Sequence, residues 1–169
     1  MGVETMGDYA DRRPHADEFG NPLAQNENDA RSEEEVARIL EDAWPDTKVH
    51  RFGRLAQIDF YIWHRGYLKA LAELKTRTHE KAKYDTVFLN VRKYVALMLG
   101  SIGMSVPSLF VVRFTDWIGY VSIFRVDGNS VRMGGCKARV KSHTDREPVI
   151  LVPVHSLLDI HTHRPPEKD

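Results

Sequence analysis

The chain has 169 residues, of which 42% are hydrophobic and 28% are charged, and its formal net charge is zero; this composition is typical of one soluble globular domain with a real core. The single cysteine, Cys136, excludes an intrachain disulfide and a cysteine-rich zinc site. No apolar run reaches the roughly 18 residues of a transmembrane helix, and the polar N-terminus lacks the pattern of a signal peptide, so we expect a cytoplasmic protein with no membrane partner.

The zero net charge conceals an uneven distribution. Residues 1–47 contain 4 Lys and Arg against 13 Asp and Glu, whereas residues 48–169 contain 20 against 11. A basic body predicts binding to a polyanion, although an acidic tail beside an ordinary surface is the alternative. We expect residues 1–30 to form a flexible acidic arm, residues 31–160 one domain and residues 161–169 a disordered tail.

The first predicted helix follows the acidic arm. Ser32 and Glu35 have the spacing of a capping box, in which each side chain bonds the backbone N–H of the other end of the first turn. Val36 and Leu40 then continue at helical spacing, and a proline follows the last apolar residue. The pattern therefore predicts a helix over 32–44.

A β-hairpin is predicted next. Residues 47–52 favour a short first strand, and two apolar runs at 57–63 and 67–75 are separated by a short loop that ends in Gly66. Apolar runs joined by a short glycine-containing loop are typical of antiparallel strands.

The second half of the chain predicts one helix and several strands. Apolar residues recur at helical spacing over 84–99, and Gly100 or Gly103 is expected to end that helix. A long charged loop is expected at 127–147 and a closing turn at 157–160, and the predicted strands are 109–114, 119–126 and 149–154. The order αβββαββ-β indicates a mixed α/β fold with helices flanking the sheet.

Three charged residues, Asp59, Glu73 and Lys75, interrupt the apolar strands of the hairpin. Because strand side chains alternate between faces, Glu73 and Lys75 share a face. Asp59 lies opposite Glu73 if the hairpin pairs about Gly66, or diagonal to it if the hairpin pairs about Arg65. Either register brings the two carboxylates together.

Two facing carboxylates repel each other unless a cation offsets their charge. Asp59 and Glu73 would hold Mg²⁺ or Mn²⁺, hard ions that prefer oxygen ligands, and the Leu74 carbonyl would add a third ligand. Lys75 would orient a metal-bound water or bind a phosphate. The alternative is a solvated sheet face on which Glu and Lys alternate.

The spacing of Ile58-Asp59 and Glu73-Leu74-Lys75 resembles the PD-(D/E)XK nuclease superfamily, which includes type II restriction enzymes and Holliday-junction resolvases. The resemblance covers residues 32–126 and implies a restriction-endonuclease-like fold with an αβββαβ core. Ile58 replaces the proline of the family name, as in many members. Separately, the whole 67–114 stretch resembles proteins from phages and prophages, which implies a small nuclease of phage or prophage type.

Further residues follow from the resemblance. Many members place a glutamate on the first helix near the metal, and Glu33 is the candidate; the alternative is that it only favours the helix N-terminus. RecB-like members carry Q-x-x-x-Y on the second helix, where this chain has Asn90 and Tyr94, and Tyr94 alternatively packs in the core. Lys93 is a candidate phosphate contact or an exposed lysine.

Basic residues near the hairpin predict phosphate contacts. The expected nucleic-acid-binding set is Arg77, Lys81, Lys83, Asn90, Lys93 and Tyr94. A second basic cluster, at Arg132, Lys137, Arg139 and Lys141, predicts a loop that grips nucleic acid or is merely solvated.

The sequence therefore predicts a Mg²⁺- or Mn²⁺-dependent nuclease with Asp59, Glu73, Lys75 and Glu33 as its catalytic residues. The expected substrate is DNA, including branched or single-stranded forms, cut by an endonuclease of nicking or junction-resolving type that acts as a homodimer. The alternative is a catalytically silent module of the same fold that binds nucleic acid or a host protein.

Overall fold

The computed structural model describes residues 27–53, 56–134 and 147–164. Two helices, α1 and α2, and nine strands, β1 to β9, lie within these ranges. The helices are Glu27–Ala43 and Val91–Met104; the strands are Thr47–Arg51, Phe60–His64, Tyr67–Thr76, Thr86–Asn90, Ser108–Arg113, Ile118–Ser122, Val131–Met133, Pro148–Pro153 and Leu158–Asp159.

Strand β3 lies in the interior of a six-stranded sheet with the order β1-β2-β3-β5-β6-β9. It pairs antiparallel with β2 and parallel with β5. The parallel neighbour requires a crossover, which contains β4 and α2. Strand β4 belongs to a separate sheet with the order β4-β8-β7. This arrangement confirms the predicted αβββαβ core and the mixed α/β fold.

The β2–β3 hairpin turns through Arg65 and Gly66, which both have positive φ, 50° and 86°. Two positive φ values are typical of the tight hairpin turn whose twist matches the strands. A bulge between Ile62 and Trp63 shifts the register by one residue, so that Phe60 pairs with Ala72. Because of this shift, the residue preceding β2, Asp59, lies opposite Glu73, as in the first of the two predicted registers.

The six-stranded sheet separates two hydrophobic cores. On one face, α1 packs against Ala70 and Ala72 of β3. On the other, Leu97 of α2 packs with Phe110 and Val112 of β5. Side chains alternate along β3, so Glu73 points away from α1 and toward the face that α2 covers.

The predicted second helix was wrong at its start. Residues 86–90 form β4, which pairs with β8, and α2 begins only at Val91 after Asn90 caps it by accepting a hydrogen bond from Arg92 N at 2.8 Å. The helix also continues through both glycines that were expected to end it, and Ser105 in the left-handed conformation ends it instead. Gly100 lies close to β3, because a Cβ there would be 2.7 Å from Leu71 Cδ1 and that side chain would have to shift.

The predicted capping box was also wrong, because α1 begins at Glu27, one turn before Ser32. The Ser32 hydroxyl instead lies 2.9 Å from the Thr76 hydroxyl at the end of β3. Glu35 accepts two hydrogen bonds from Arg113, at 2.6 and 2.7 Å. These contacts anchor the start of α1 to the ends of β3 and β5.

The chain ends of the domain were predicted only in part. Within the predicted loop 127–147, residues 131–133 form β7, which contains Arg132 of the predicted basic cluster. The other members of that cluster, at 137–141, lie outside the described residues. Tyr120 Oη donates to the Arg164 carbonyl at 2.8 Å, so the first residues of the predicted tail contact the domain. Residues 1–26 and 165–169 lie outside the described ranges.

Neither α1 nor α2 meets the length and hydropathy that a membrane-spanning helix needs, and the described ranges contain no other α-helix.

We predict opposite effects on stability for two glycine substitutions. Gly119→Ala should lower the free energy of unfolding by about 1–3 kcal/mol, because its Cβ would collide with the Trp117 ring and lie 2.7 Å from the Leu158 carbonyl oxygen. Gly103→Ala should raise it by about 0.5 kcal/mol, because α2 offers open space there and alanine favours helices. Urea unfolding of both variants measures the difference, and equal effects would contradict the packing at β6.

Candidate active site

Strand β3 places Glu73 next to Asp59 at the end of the β2 ladder. The backbone N–H of Leu74 donates to Asp59 Oδ2 at 2.9 Å, which fixes that carboxylate against β3. The N–H and C=O of one strand residue point to the same side, so the Leu74 carbonyl also faces Asp59. The predicted ligands Asp59, Glu73 and Leu74 are therefore neighbours.

A lysine from α2 completes this group. Lys93 Nζ donates to Glu73 Oε2 at 2.9 Å and to Asp59 Oδ1 at 3.2 Å. Its side chain is 22% exposed, against 19% for Asp59 and 11% for Glu73. One partly buried ammonium thus bridges two partly buried carboxylates.

Burial determines the electrostatics of Glu73. Loss of solvent, together with the adjacent Asp59 carboxylate, raises the pKa of Glu73 to about 8, and the Lys93 ammonium opposes this rise only in part. For Lys93, burial alone lowers the pKa, but the two carboxylates outweigh it and the pKa is raised. Positive charge therefore stabilises the two carboxylates of the site.

Lys75 lies beside the carboxylates without pairing to them. Among the described residues, no carboxylate forms an ion pair with its ammonium. The side chain reaches solvent, yet the surrounding protein atoms and the nearby Arg77 charge lower the pKa of Lys75. An ammonium with a solvent-facing end and no fixed partner can contact a phosphate or a water.

Glu33 lies apart from this group. It belongs to α1, which covers the opposite face of the sheet, and Arg51 Nη2 lies 2.5 Å from its carboxylate. Across the ranges that the structure describes, no three His, Cys, Asp or Glu side chains converge on one metal position. The catalytic role of Glu33 stays a prediction, and its observed partner is an arginine.

Asn90 and Tyr94 have structural contacts. Asn90 caps α2 through its side-chain oxygen, and its side-chain nitrogen donates to Glu147. Tyr94 packs against the core between α2 and β5, the alternative that the sequence left open, and its ring approaches Gly128. Their predicted contacts with nucleic acid stay predictions.

The basic residues after β3 lie on aromatic rings. Lys81 Nζ is 3.6 Å from the centre of the Trp117 ring, and Lys83 Nζ is 5.5 Å from that of Tyr84. The Arg77 guanidinium lies 6.0 Å from the centre of the Phe88 ring. Contact with a ring face holds each cation in place. These three basic residues follow β3 in the chain, and we refer to them as the basic strip; positive side chains near the carboxylates are suited to contact phosphates.

The residues present fit a divalent metal ion. Two carboxylates and a backbone carbonyl are the oxygen donors that Mg²⁺ and Mn²⁺ prefer, and both carboxylates already bind one cation, the Lys93 ammonium. The sequence predicted the donors but missed the role of Lys93 at this position. Its location in the first turn of the helix that follows Asn90 is the feature of the sequence that could have indicated this role.

Comparison with known protein families agrees with this geometry. The sequence model of a family described as "phage putative PDDEXK endonuclease" matches residues 22–160, which include both helices and all of the site residues. A comparison with curated proteins found no significant match.

A solved structure shares the fold. The Holliday junction resolvase of Archaeoglobus fulgidus superposes with a TM-score of 0.53 at 11% sequence identity, covering 79% of this chain and 97% of the resolvase. At this identity the similarity shows the fold, which confirms the predicted restriction-endonuclease-like architecture.

We predict that stability depends on pH through Glu73. Folding raises the pKa of Glu73 from 4.5 to about 8. The protonated carboxyl therefore stabilises the folded state fully below pH 4.5, and this stabilisation is lost as the pH rises to about 8. The free energy of unfolding of the native protein should therefore fall relative to Glu73→Gln across this window. Urea unfolding in EDTA at several pH values measures it.

The matched control, Glu35→Gln, should behave in the opposite way. A hydrogen bond from Arg113 lowers the pKa of Glu35. The ionised carboxylate of Glu35 therefore stabilises the folded state above the usual pKa range of a carboxyl, and this stabilisation is lost as the pH falls. If the difference in free energy of unfolding between the native protein and Glu73→Gln stays constant with pH, burial does not raise the pKa of Glu73.

Proposed function

The chain belongs to the phage PDDEXK endonuclease family, and from this premise we propose that it hydrolyses phosphodiester bonds of DNA with a divalent metal ion at Asp59 and Glu73. The observation that supports the proposal is the convergence of both carboxylates on a single cation position, with distances of 2.9 and 3.2 Å to one ammonium. Two carboxylates at this spacing, with a backbone carbonyl beside them, are suited to Mg²⁺ or Mn²⁺.

Each residue of the site has a chemical role in the proposal. When bound, the metal lowers the pKa of a water molecule and stabilises the charge that develops on the phosphate. Asp59 is oriented by the Leu74 N–H, and Glu73 is held by the rigid interior strand β3. Lys75, on the same face as Glu73, orients the attacking water or contacts the phosphate through its solvent-facing ammonium.

The proposed substrate class follows from the surface near the site. The residues of the basic strip, Arg77, Lys81 and Lys83, come directly after β3 in the chain, which supports contacts with the phosphates of a nucleic acid bound at the carboxylates. The shared fold with a junction resolvase supports an endonuclease of nicking or junction-resolving type. Cutting two strands of one junction needs two sites, which a homodimer would supply.

We predict that cleavage requires the three central residues. Asp59→Asn, Glu73→Gln and Lys75→Ala should each reduce Mg²⁺-dependent cleavage of plasmid or four-way junction DNA by about a hundredfold or more, because each removes charge from the reacting centre. Asp46→Asn and Lys48→Ala, near the hairpin turn at the far end of β2 and β3, are matched controls that should cut normally.

The same assay distinguishes a nuclease from a catalytically silent binding module. A native protein that binds DNA but cuts no duplex, single-stranded or branched substrate with Mg²⁺ or Mn²⁺ would support the silent binding module instead.

We predict a salt-dependent contribution of the basic strip to DNA binding. In a Glu73→Gln background with EDTA, Lys81→Ala with Lys83→Ala should weaken duplex binding and lower the slope of log affinity against log salt by about two, since each phosphate contact contributes roughly 0.9. The control pair Lys48→Ala with Arg65→Ala removes the same charge near the hairpin turn. Equal slopes for the two pairs would show that only net charge matters.

A further inference from the structure

The ammonium of Lys93 lies between the two carboxylates that are proposed to hold the metal. It contacts Glu73 Oε2 and Asp59 Oδ1, one oxygen of each carboxylate, at 2.9 and 3.2 Å. We propose that Lys93 is a positioning residue, a tethered cation that holds the carboxylates together without metal and leaves them when metal binds, so that DNA promotes metal binding by accepting Lys93. This inference rests on the proposed metal-dependent function and adds how its site is controlled.

The carboxylates need a cation before any metal arrives. Asp59 and Glu73 lie opposite each other at the edge of the β2 ladder, and their side chains are only 19% and 11% exposed. Like charges at such a position repel strongly, and buried charges without a partner are costly. Lys93 offsets both effects, because a single ammonium donates to both groups and keeps them in the geometry that binds a metal.

Lys93 and a metal ion exclude each other from the same contacts. Mg²⁺ binds carboxylate oxygens at about 2.0–2.1 Å, which is closer than the 2.9 and 3.2 Å at which Lys93 Nζ contacts them, so an ion shared by these two oxygens would compete with the ammonium for both. The ion and the ammonium also repel each other. Metal binding therefore requires the Lys93 side chain to swing away.

The helix offers Lys93 an exit toward solvent. Its side chain is 22% exposed and leaves the first turn of α2, directly after the exposed Arg92. A DNA phosphate is an anion that can pair with the displaced ammonium, and this pairing is more favourable than hydration of the ammonium alone. DNA and metal should then strengthen each other's binding, and by thermodynamic linkage the effect is reciprocal.

Lys75 provides the matched comparison. It lies on the same face of β3 as Glu73 and is also a lysine, but it does not pair with either carboxylate. Its removal changes the charge near the metal without vacating the contacts that the metal needs. A larger effect at Lys93 than at Lys75 would therefore report displacement rather than general charge.

The experiment is a calorimetric titration of Mg²⁺ into the full chain without DNA, with the native protein and every variant at the same pH. Lys93→Met should bind Mg²⁺ about tenfold more tightly than the native protein, Lys93→Arg should stay close to the native affinity, and Lys75→Met should change it less. Without metal, Lys93→Met should unfold at a lower temperature, and Mg²⁺ should restore more stability to it than to the native protein. Lys93→Gln is the second variant if Lys93→Met does not fold.

A second titration includes duplex DNA with phosphorothioate linkages, which keep the charge of the backbone. DNA should tighten Mg²⁺ binding by the native protein and do so less in Lys93→Met. Unchanged or weaker Mg²⁺ affinity in Lys93→Met, or equal tightening by DNA in both proteins, would overturn the proposal and leave the metal-dependent function standing. If neither the native protein nor any variant binds Mg²⁺, with or without DNA, both the proposed function and the role of Lys93 fail.

Discussion

The pairing of Asp59 and Glu73 is the constraint around which the rest of the site is arranged. Two carboxylates face each other where β3 passes the end of β2. Loss of solvent and the neighbouring Asp59 carboxylate raise the pKa of Glu73 to about 8 there. Such a pair lowers stability unless something compensates it. The protein compensates it with a backbone N–H from Leu74 and an ammonium from α2.

The layered fold makes this compensation possible. Strand β3 has a neighbour on each side, which fixes the direction of Glu73, and the parallel pairing with β5 requires the crossover that contains α2. The crossover places α2 on the same face of the sheet as Glu73 and Lys75, while α1 fills the other face with Val36 and Leu40. One face is therefore hydrophobic where it meets α1, and the other accommodates charge near the start of α2.

Much of the fold was predictable because local patterns encode it. The hairpin, the strand at Ser108–Arg113 and the strand at Pro148–Pro153 were all indicated by short apolar runs. The start of α2 was not, since Val87 fits the helical spacing of Val91 and the residues that follow. Val87 and Leu89 instead alternate as in a strand, and the pairing with β8 shows that they form one. The beginning of α1 was also missed. Ser32 is a residue type that caps helices, but its hydroxyl contacts Thr76 of β3, and the helix begins before it, at Glu27.

The sequence by itself determined the chemical groups of the site and their common face. Strand alternation places Glu73 and Lys75 together, and a short turn brings Asp59 near them, because both depend on residues close in the chain. Only the tertiary structure decided which cation joins the carboxylates. Lys93 is 20 residues from Glu73 in the chain, and its position depends on how the crossover packs α2 on the sheet. For the same reason Glu33, on the helix that packs against the opposite face, pairs with Arg51 instead.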